Sequence, residues 1–157
     1  VAKAYKEFFS GYESKPVEIL SKTFDDVEGY DEMVIVRDIS IESHCEHHMV
    51  PFIGIAHIGY IPDKRVVGIS KLARIADVFA KRLQTQETMT VQIADTINKV
   101  LKPKGVAVVI DAQHQCMTTR GTHKTESSTI TSRMLGLFRT NSNTRNEFMN
   151  LINSSNS

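Results

Sequence analysis

Little in this chain marks it for a membrane, a nucleic acid or a disulfide scaffold. It has two cysteines in 157 residues, too few for a disulfide framework, so a reducing cytoplasm is the expected compartment. It has no charge bias either: the formal net charge is +1, so no overall field directs it to nucleic acid or a membrane surface, and any anion site must be local. No apolar run approaches the length of a membrane span, and no signal peptide opens the chain. Glycine and proline number 8 and 4, with no low-complexity tract and no repeat at solenoid spacing. What remains, 41% hydrophobic and 24% charged, is an ordinary globular composition at a length that fits one domain with a hydrophobic core. The start at Val1 rather than at methionine is read as an N-terminal trim.

Against this plain background one stretch stands out. Ser43-His44-Cys45-Glu46-His47-His48 holds three of the six histidines and one of the two cysteines. Cys45 and His48 form a Cys-x-x-His pair, a spacing at which a tight turn presents both side chains to one metal ion. The second cysteine, Cys116, lies far downstream in Gln113-His114-Gln115-Cys116. Brought together, Cys45, His48 and Cys116 would make a soft N/S site suited to zinc, with a fourth tetrahedral position left for water. Spacing alone leaves other readings open. The cysteines could be a disulfide or two unrelated buried thiols, and the histidines a solvated turn or a structural site closed by another histidine.

Taken in order, Val1 to Phe9 reads as the tail of a helix stopped by Ser10-Gly11, followed by a polar linker without period to about Gly29, including Asp25-Asp26. A strand over Met33 to Glu42 alternates Val34, Val36, then Ile39 and Ile41 after a slip in phase. It delivers the His/Cys turn to a second strand, Phe52 to Ile61, in which His57 is a packed or surface histidine and not a ligand. Ser70 is the expected N-cap of a helix whose buried stripe is Leu72, Ile75, Ala76, Phe79 and Leu83. A second helix runs from about Gln86, with Met89, Ile93, Ile97, Val100 and Leu101 on one face, and ends at Pro103 and Gly105. The next strand places Val106, Val108, Ile110, His114 and Cys116 on one face, and a fourth covers Ser127 to Leu135. Asn141 or Ser142 caps a last helix with Phe148, Leu151 and Ile152, and the tail Asn153 to Ser157 is expected to fray. The order ββααββ predicts an α+β domain over 1–157: a four-stranded antiparallel sheet with two helices on one face and flanking terminal helices.

The candidate chemistry clusters in three places. His47 and His114 flank the three metal-ligand candidates and move protons near neutral pH. Ser70, Lys71 and Arg74 gather a hydroxyl, two cations and free N–H groups at one helix start, a phosphate-type site that Arg120 could join; a solvated helix face is the plainer alternative. Gln86-Glu87 offers an amide and a carboxylate, or merely an acidic first turn.

Four motifs in order, Cys45-Glu46-His47-His48, Gly68-Ile69-Ser70-Lys71-Leu72-Ala73-Arg74, Gln84-Thr85-Gln86-Glu87 and His114-Gln115-Cys116-Met117-Thr118-Thr119-Arg120-Gly121, resemble GTP cyclohydrolase I. The resemblance extends from Val1 through Asn143-Thr144-Arg145-Asn146-Glu147-Phe148. It implies a T-fold, a cytoplasmic homodecamer with active sites at subunit interfaces, and zinc-dependent conversion of GTP to 7,8-dihydroneopterin triphosphate with release of formate, feeding pterin and folate synthesis. It implies zinc on Cys45, His48 and Cys116, proton transfer by His47 and His114, and guanine recognition by Glu87 with Gln86. Ribose and triphosphate fall to Ser70, Lys71, Arg74, Arg120 and Lys3, with Ser70 also placed for the ribose rearrangement. The Thr-Pro-x-Arg segment usual in that family would precede Val1, so the N-terminal helix reads as truncated. Nitrile reductases of deazaguanine metabolism, on the same fold, use a nucleophilic cysteine and a nicotinamide cofactor and have no need of the Cys/His/Cys set. A zinc-stabilised binding module would leave His47, His114 and the cations without a role.

Overall fold

The computed structural model describes residues 1–25 and 28–154. Its elements run α1 (Ala2–Phe8), a 3-10 turn (Ser10–Glu13), α2 (Pro16–Leu20), β1 (Thr23–Phe24), β2 (Val34–Cys45), β3 (Pro51–Ile61) and β4 (Val66–Val67). They continue as α3 (Ile69–Ala80), β5 (Leu83–Gln84), α4 (Gln86–Leu101), β6 (Gly105–His114), α5 (Gln115–Thr118), β7 (Thr129–Gly136), α6 (Leu137–Thr140) and α7 (Ser142–Asn153). The α+β class holds, but the sheet has five strands, ordered β5-β2-β3-β6-β7, and β1 and β4 pair separately. The fifth strand was invisible to periodicity because Leu83–Gln84 is too short to alternate. Leu83 therefore belongs to this strand and not to the α3 stripe.

β2, β3, β6 and β7 pair antiparallel, with a short turn joining β2 to β3 and both long helices inserted between β3 and β6. The phase slip in β2 is a bulge between Val36 and Ile39, where Asp38 takes φ 59°. The Asp38 amide donates to Nδ1 of the buried His57 across the ladder at 3.1 Å. That bond satisfies a bulge donor and confirms His57 as a packed residue. Beyond the bulge, Ile39, Ile41, Ser43 and Cys45 all face the core, so the slip determines which face carries Cys45.

The main core lies between the sheet and helices α3 and α4. Leu72, Ile75, Ala76 and Phe79 from one helix and Met89, Ile93, Ile97 and Leu101 from the other bury against Ile41, Phe52, Ile58, Val108 and Ile110. Thr85 caps α4, its hydroxyl oxygen accepting from the Thr88 amide at 3.1 Å, and Lys102 ends it in the left-handed region. Ser70, expected as the cap of α3, lies inside the helix; Gly68 is the N-cap, its carbonyl accepting from the Lys71 amide, and no side chain caps the end.

A second, smaller core covers part of the opposite face. Phe138, Phe148 and Ile152 of α6 and α7 pack on Ile61, Ala107 and Val109. Asn141 caps α7 through Oδ1, accepting from Asn143 and Thr144 amides. Leu151, expected to be buried, is 45% exposed, while Phe148 and Ile152 carry the contact.

The 10–29 stretch is not a plain linker. Its elements of two to five residues are too short to show a period, yet Leu20 is fully buried. Arg82 ties the segment down, donating to the carbonyls of Gly11 and Ser14 and lying over the rings of Tyr12 and Phe79. Asp26 and Val27, counted in that linker, lie outside the described residues. Of the tail expected to fray, Asn153 closes α7 and Ser154 receives Arg37, while 155–157 lie outside the described residues.

Candidate metal centre and active site

β2 ends at Cys45, buried, and the chain reverses at once. The Met49 amide donates to the Cys45 carbonyl at 2.8 Å and the Cys45 amide to the Val50 carbonyl at 3.0 Å, with Met49 at φ 54°. This closed turn throws His47 and His48 to the surface and sets His48 Nδ1 3.9 Å from Cys45 Sγ. Cys116 arrives by a route other than the one its sequence pattern implies. β6 stops at His114, and Gln115–Thr118 forms a helical turn held by the Thr118 and Thr119 hydroxyls donating to the Gln115 carbonyl. That turn, not strand alternation, brings Cys116 to the others. The donor atoms of Cys45, His48 and Cys116 lie within 4.8 Å of one another, a separation one small cation spans. Both cysteines are free thiols, which removes the disulfide reading for this state. Burial raises the Cys116 pKa and the neighbouring Cys45 raises it further, while Arg120 opposes them. Two thiolates and an imidazole are a donor set that favours zinc over hard cations.

His114, the last residue of β6, lies opposite Phe52 of β3, and the rings stack at 4.7 Å and 11°. Its Nε2 is 2.7 Å from Gln86 Oε1. Burial lowers its pKa and the Glu87 carboxylate opposes the fall. Glu87 itself is exposed in the first turn of α4. Gln86, expected to share the guanine edge with it, is 1% exposed and has its Oε1 on the His114 ring. His47 sits with its ring 6.3 Å from that of His48. Arg120, on the loop after α5, reaches back to within 3.2 Å of His48 Nε2. Cys45, His47, His48, His114, Cys116 and Arg120 therefore form one neighbourhood, and Glu87 follows Gln86, the partner of His114.

The remaining predicted residues lie elsewhere. Lys71 and Arg74 line an open groove of about 430 Å³ between α2 and α3, together with Lys15 and Lys22. None of that groove's lining residues belongs to the cysteine/histidine neighbourhood. Ser70 is exposed one residue before Lys71, and Lys3 is exposed on α1. Lys15 and Lys22 were missed because their segment read as a linker; the available signal was Pro16, which starts α2 immediately after Lys15. The Phe52 stack could not be foreseen without the β3–β6 register.

Comparisons with known proteins identify the family. The family model described as GTP cyclohydrolase I matches residues 1–153. The GTP cyclohydrolase 1 of Maricaulis maris (strain MCS10) is 55% identical over 152 residues, 97% of this chain and 74% of its own length. That of Brucella suis (strain ATCC 23445 / NCTC 10510) is 57% identical over 152 residues, 97% of this chain and 71% of its own. Among solved structures, the apo form of the archaeosine synthase QueF-Like shares the fold, with a TM-score of 0.55 over 66% of this chain and 93% of its own at 16% identity. Motif, site and near-complete alignment converge: the chain belongs to the GTP cyclohydrolase I family of enzymes.

Proposed function

We propose that this chain, a single T-fold domain over 1–157, opens the imidazole ring of GTP by hydrolysis, releases formate and recloses the product to 7,8-dihydroneopterin triphosphate, as the first step of pterin and folate synthesis. The observation that carries this reading is the convergence of Cys45, His48 and Cys116 beside two further histidines. Those three side chains would hold zinc, which when bound supplies a Lewis acid and a water acidified toward neutrality. A metal that served folding alone would leave His47 and His114 without a role.

The chain's own groups supply the rest. His47, exposed beside His48, donates a proton to the departing imidazole nitrogen, and His114 carries protons in later steps. Glu87 accepts from the guanine N–H groups, an edge that adenine does not present. Lys71, Arg74, Arg120 and Lys3 neutralise the triphosphate, and Ser70 lies against the ribose. The groove lined by Lys15, Lys22, Lys71 and Arg74 lies apart from the cysteines in one subunit, which supports a site completed by a neighbouring copy; the homodecamer itself is what the family resemblance implies. Turnover of GTP followed by pterin fluorescence, with light scattering for mass, tests both parts. No pterin product from the zinc-loaded protein, or full activity in a stable monomer, would refute the corresponding part.

A further inference from the structure

Gln86 is buried to 1% exposure, yet its amide is fully engaged. Nε2 faces the Ile110 carbonyl at 3.1 Å, the Thr129 carbonyl at 2.9 Å and Thr131 Oγ1 at 3.1 Å. Carbonyl oxygens only accept, so the amide end between two of them must be the NH₂; the flipped amide would set three oxygens against one another. Oε1 is thereby committed to His114, 2.7 Å from its Nε2. An amide oxygen also only accepts, so the hydrogen of that bond belongs to His114 Nε2. A neutral imidazole carries one N–H, and Nδ1 is left with a free lone pair.

The surroundings lock this arrangement. The Thr90 hydroxyl donates to the Gln86 backbone carbonyl at 2.7 Å. Its oxygen then takes the Thr131 hydroxyl hydrogen at 2.7 Å, leaving Thr131 Oγ1 to accept from the Gln86 amide. The Phe52 stack fixes the plane of the His114 ring. We propose that Gln86 is a positioning residue and not a guanine contact: its buried amide holds His114 as the Nε2–H tautomer and leaves Nδ1 as the ring's only proton acceptor. The consequence for turnover rests on the reading of His114 as a proton-transfer group.

Ring-¹⁵N spectra of the histidine-labelled wild-type enzyme, with the His114 signals identified by their loss in His114→Gln, report the tautomer without any activity assay. The Nε2–H form is expected; an Nδ1–H form or an even mixture overturns the proposal. In kinetics, Gln86→Met keeps the packing and removes the amide. Its kcat should fall about 10- to 100-fold, the usual loss when a functional imidazole's orienting partner is removed. KM for GTP should stay within about twofold, since no uniform binding contact is lost. A raised KM at unchanged kcat would assign Gln86 to the guanine and overturn the proposal. Should Gln86→Met fail to fold, the wild-type spectrum decides alone. A wild-type enzyme inert toward GTP would defeat the proposed function, while the spectrum would still judge the tautomer.

Discussion

Gly59 and Phe148 form a pair whose energetics can be worked out before measurement. Gly59 lies in β3 beneath α7, and a Cβ built there would meet Phe148 Cε2 and Cδ2 at 2.8 and 2.9 Å. Carbon atoms rest at about 3.5–4.0 Å, so Gly59→Ala must push the ring out by most of an ångström. The ring cannot tilt freely: it is fully buried and meets Phe138 edge-on at 5.6 Å and 74°. Overpacking of this kind costs about 1–3 kcal/mol. Phe148→Ala should cost about 3–5 kcal/mol through lost burial and the cavity left. The methyl of Gly59→Ala then has room, so the double variant should be no less stable than Phe148→Ala alone. The predicted coupling is thus about 1–3 kcal/mol of relief, against the roughly 0.3–0.5 kcal/mol scatter of independent sites. Urea unfolding of the four proteins at one fixed protein concentration, which keeps any association the same, measures it. Additive losses would refute the claim that the missing side chain at 59 exists to seat this ring.

Other outcomes follow from the site. Cys116→Ala should lose both bound zinc and turnover, checked by metal analysis and pterin fluorescence; full activity in a chelated, metal-free sample would contradict the proposed chemistry. Glu87→Ala should lose GTP binding while keeping its metal, whereas His47→Ala should bind GTP and slow ring opening by about 10²–10⁴, the usual worth of a general acid. Calorimetric titration beside a rate assay separates the two. Burial lowers the His57 pKa, with Asp38 opposing, Arg37 adding to the fall and Asp111 opposing. The unfolded chain therefore binds the proton more readily, so this contribution to stability is present above the ordinary histidine pKa and is lost as pH falls through the lower folded value. His57→Gln should flatten that acid limb of the stability profile; an unchanged limb would show that other groups produce it.

Sequence periodicity carried the long elements well. The phase slip between Val36 and Ile39 became a real bulge, and the α4 stripe buries as its spacing requires. What could not be read was local and short. Gly68, with no side chain, caps α3 where the hydroxyl of Ser70 looked like the better signal. Alternation carried past His114 sets Cys116 on the correct side for the wrong reason, because threonine hydroxyls wind that segment into a turn. The convergence of Cys45, His48 and Cys116 was legible because few residue types can hold a soft metal ion. The buried bonds of Gln86 were not legible because its carbonyl partners come from β6 and β7, 24 and 43 positions downstream.

The short strand β5 has a consequence for how this protein can vary. Leu83 and Gln84 pair in parallel with His44 and Cys45, and the Glu46 amide donates to the Gln84 carbonyl at 2.9 Å. Thr85, Gln86 and Glu87 follow with no slack. The spacing between the cysteine turn and the start of α4 is thus set by backbone bonds, which are indifferent to side-chain identity. A single residue inserted or deleted along 81–85 would reverse the facing of Gln84 and rotate the start of α4 by about 100°, a 3.6-residue turn's share per residue. Glu87 would then swing away from His114. Insertions should be tolerated in the loop at 119–128, far better than in this strand of two residues.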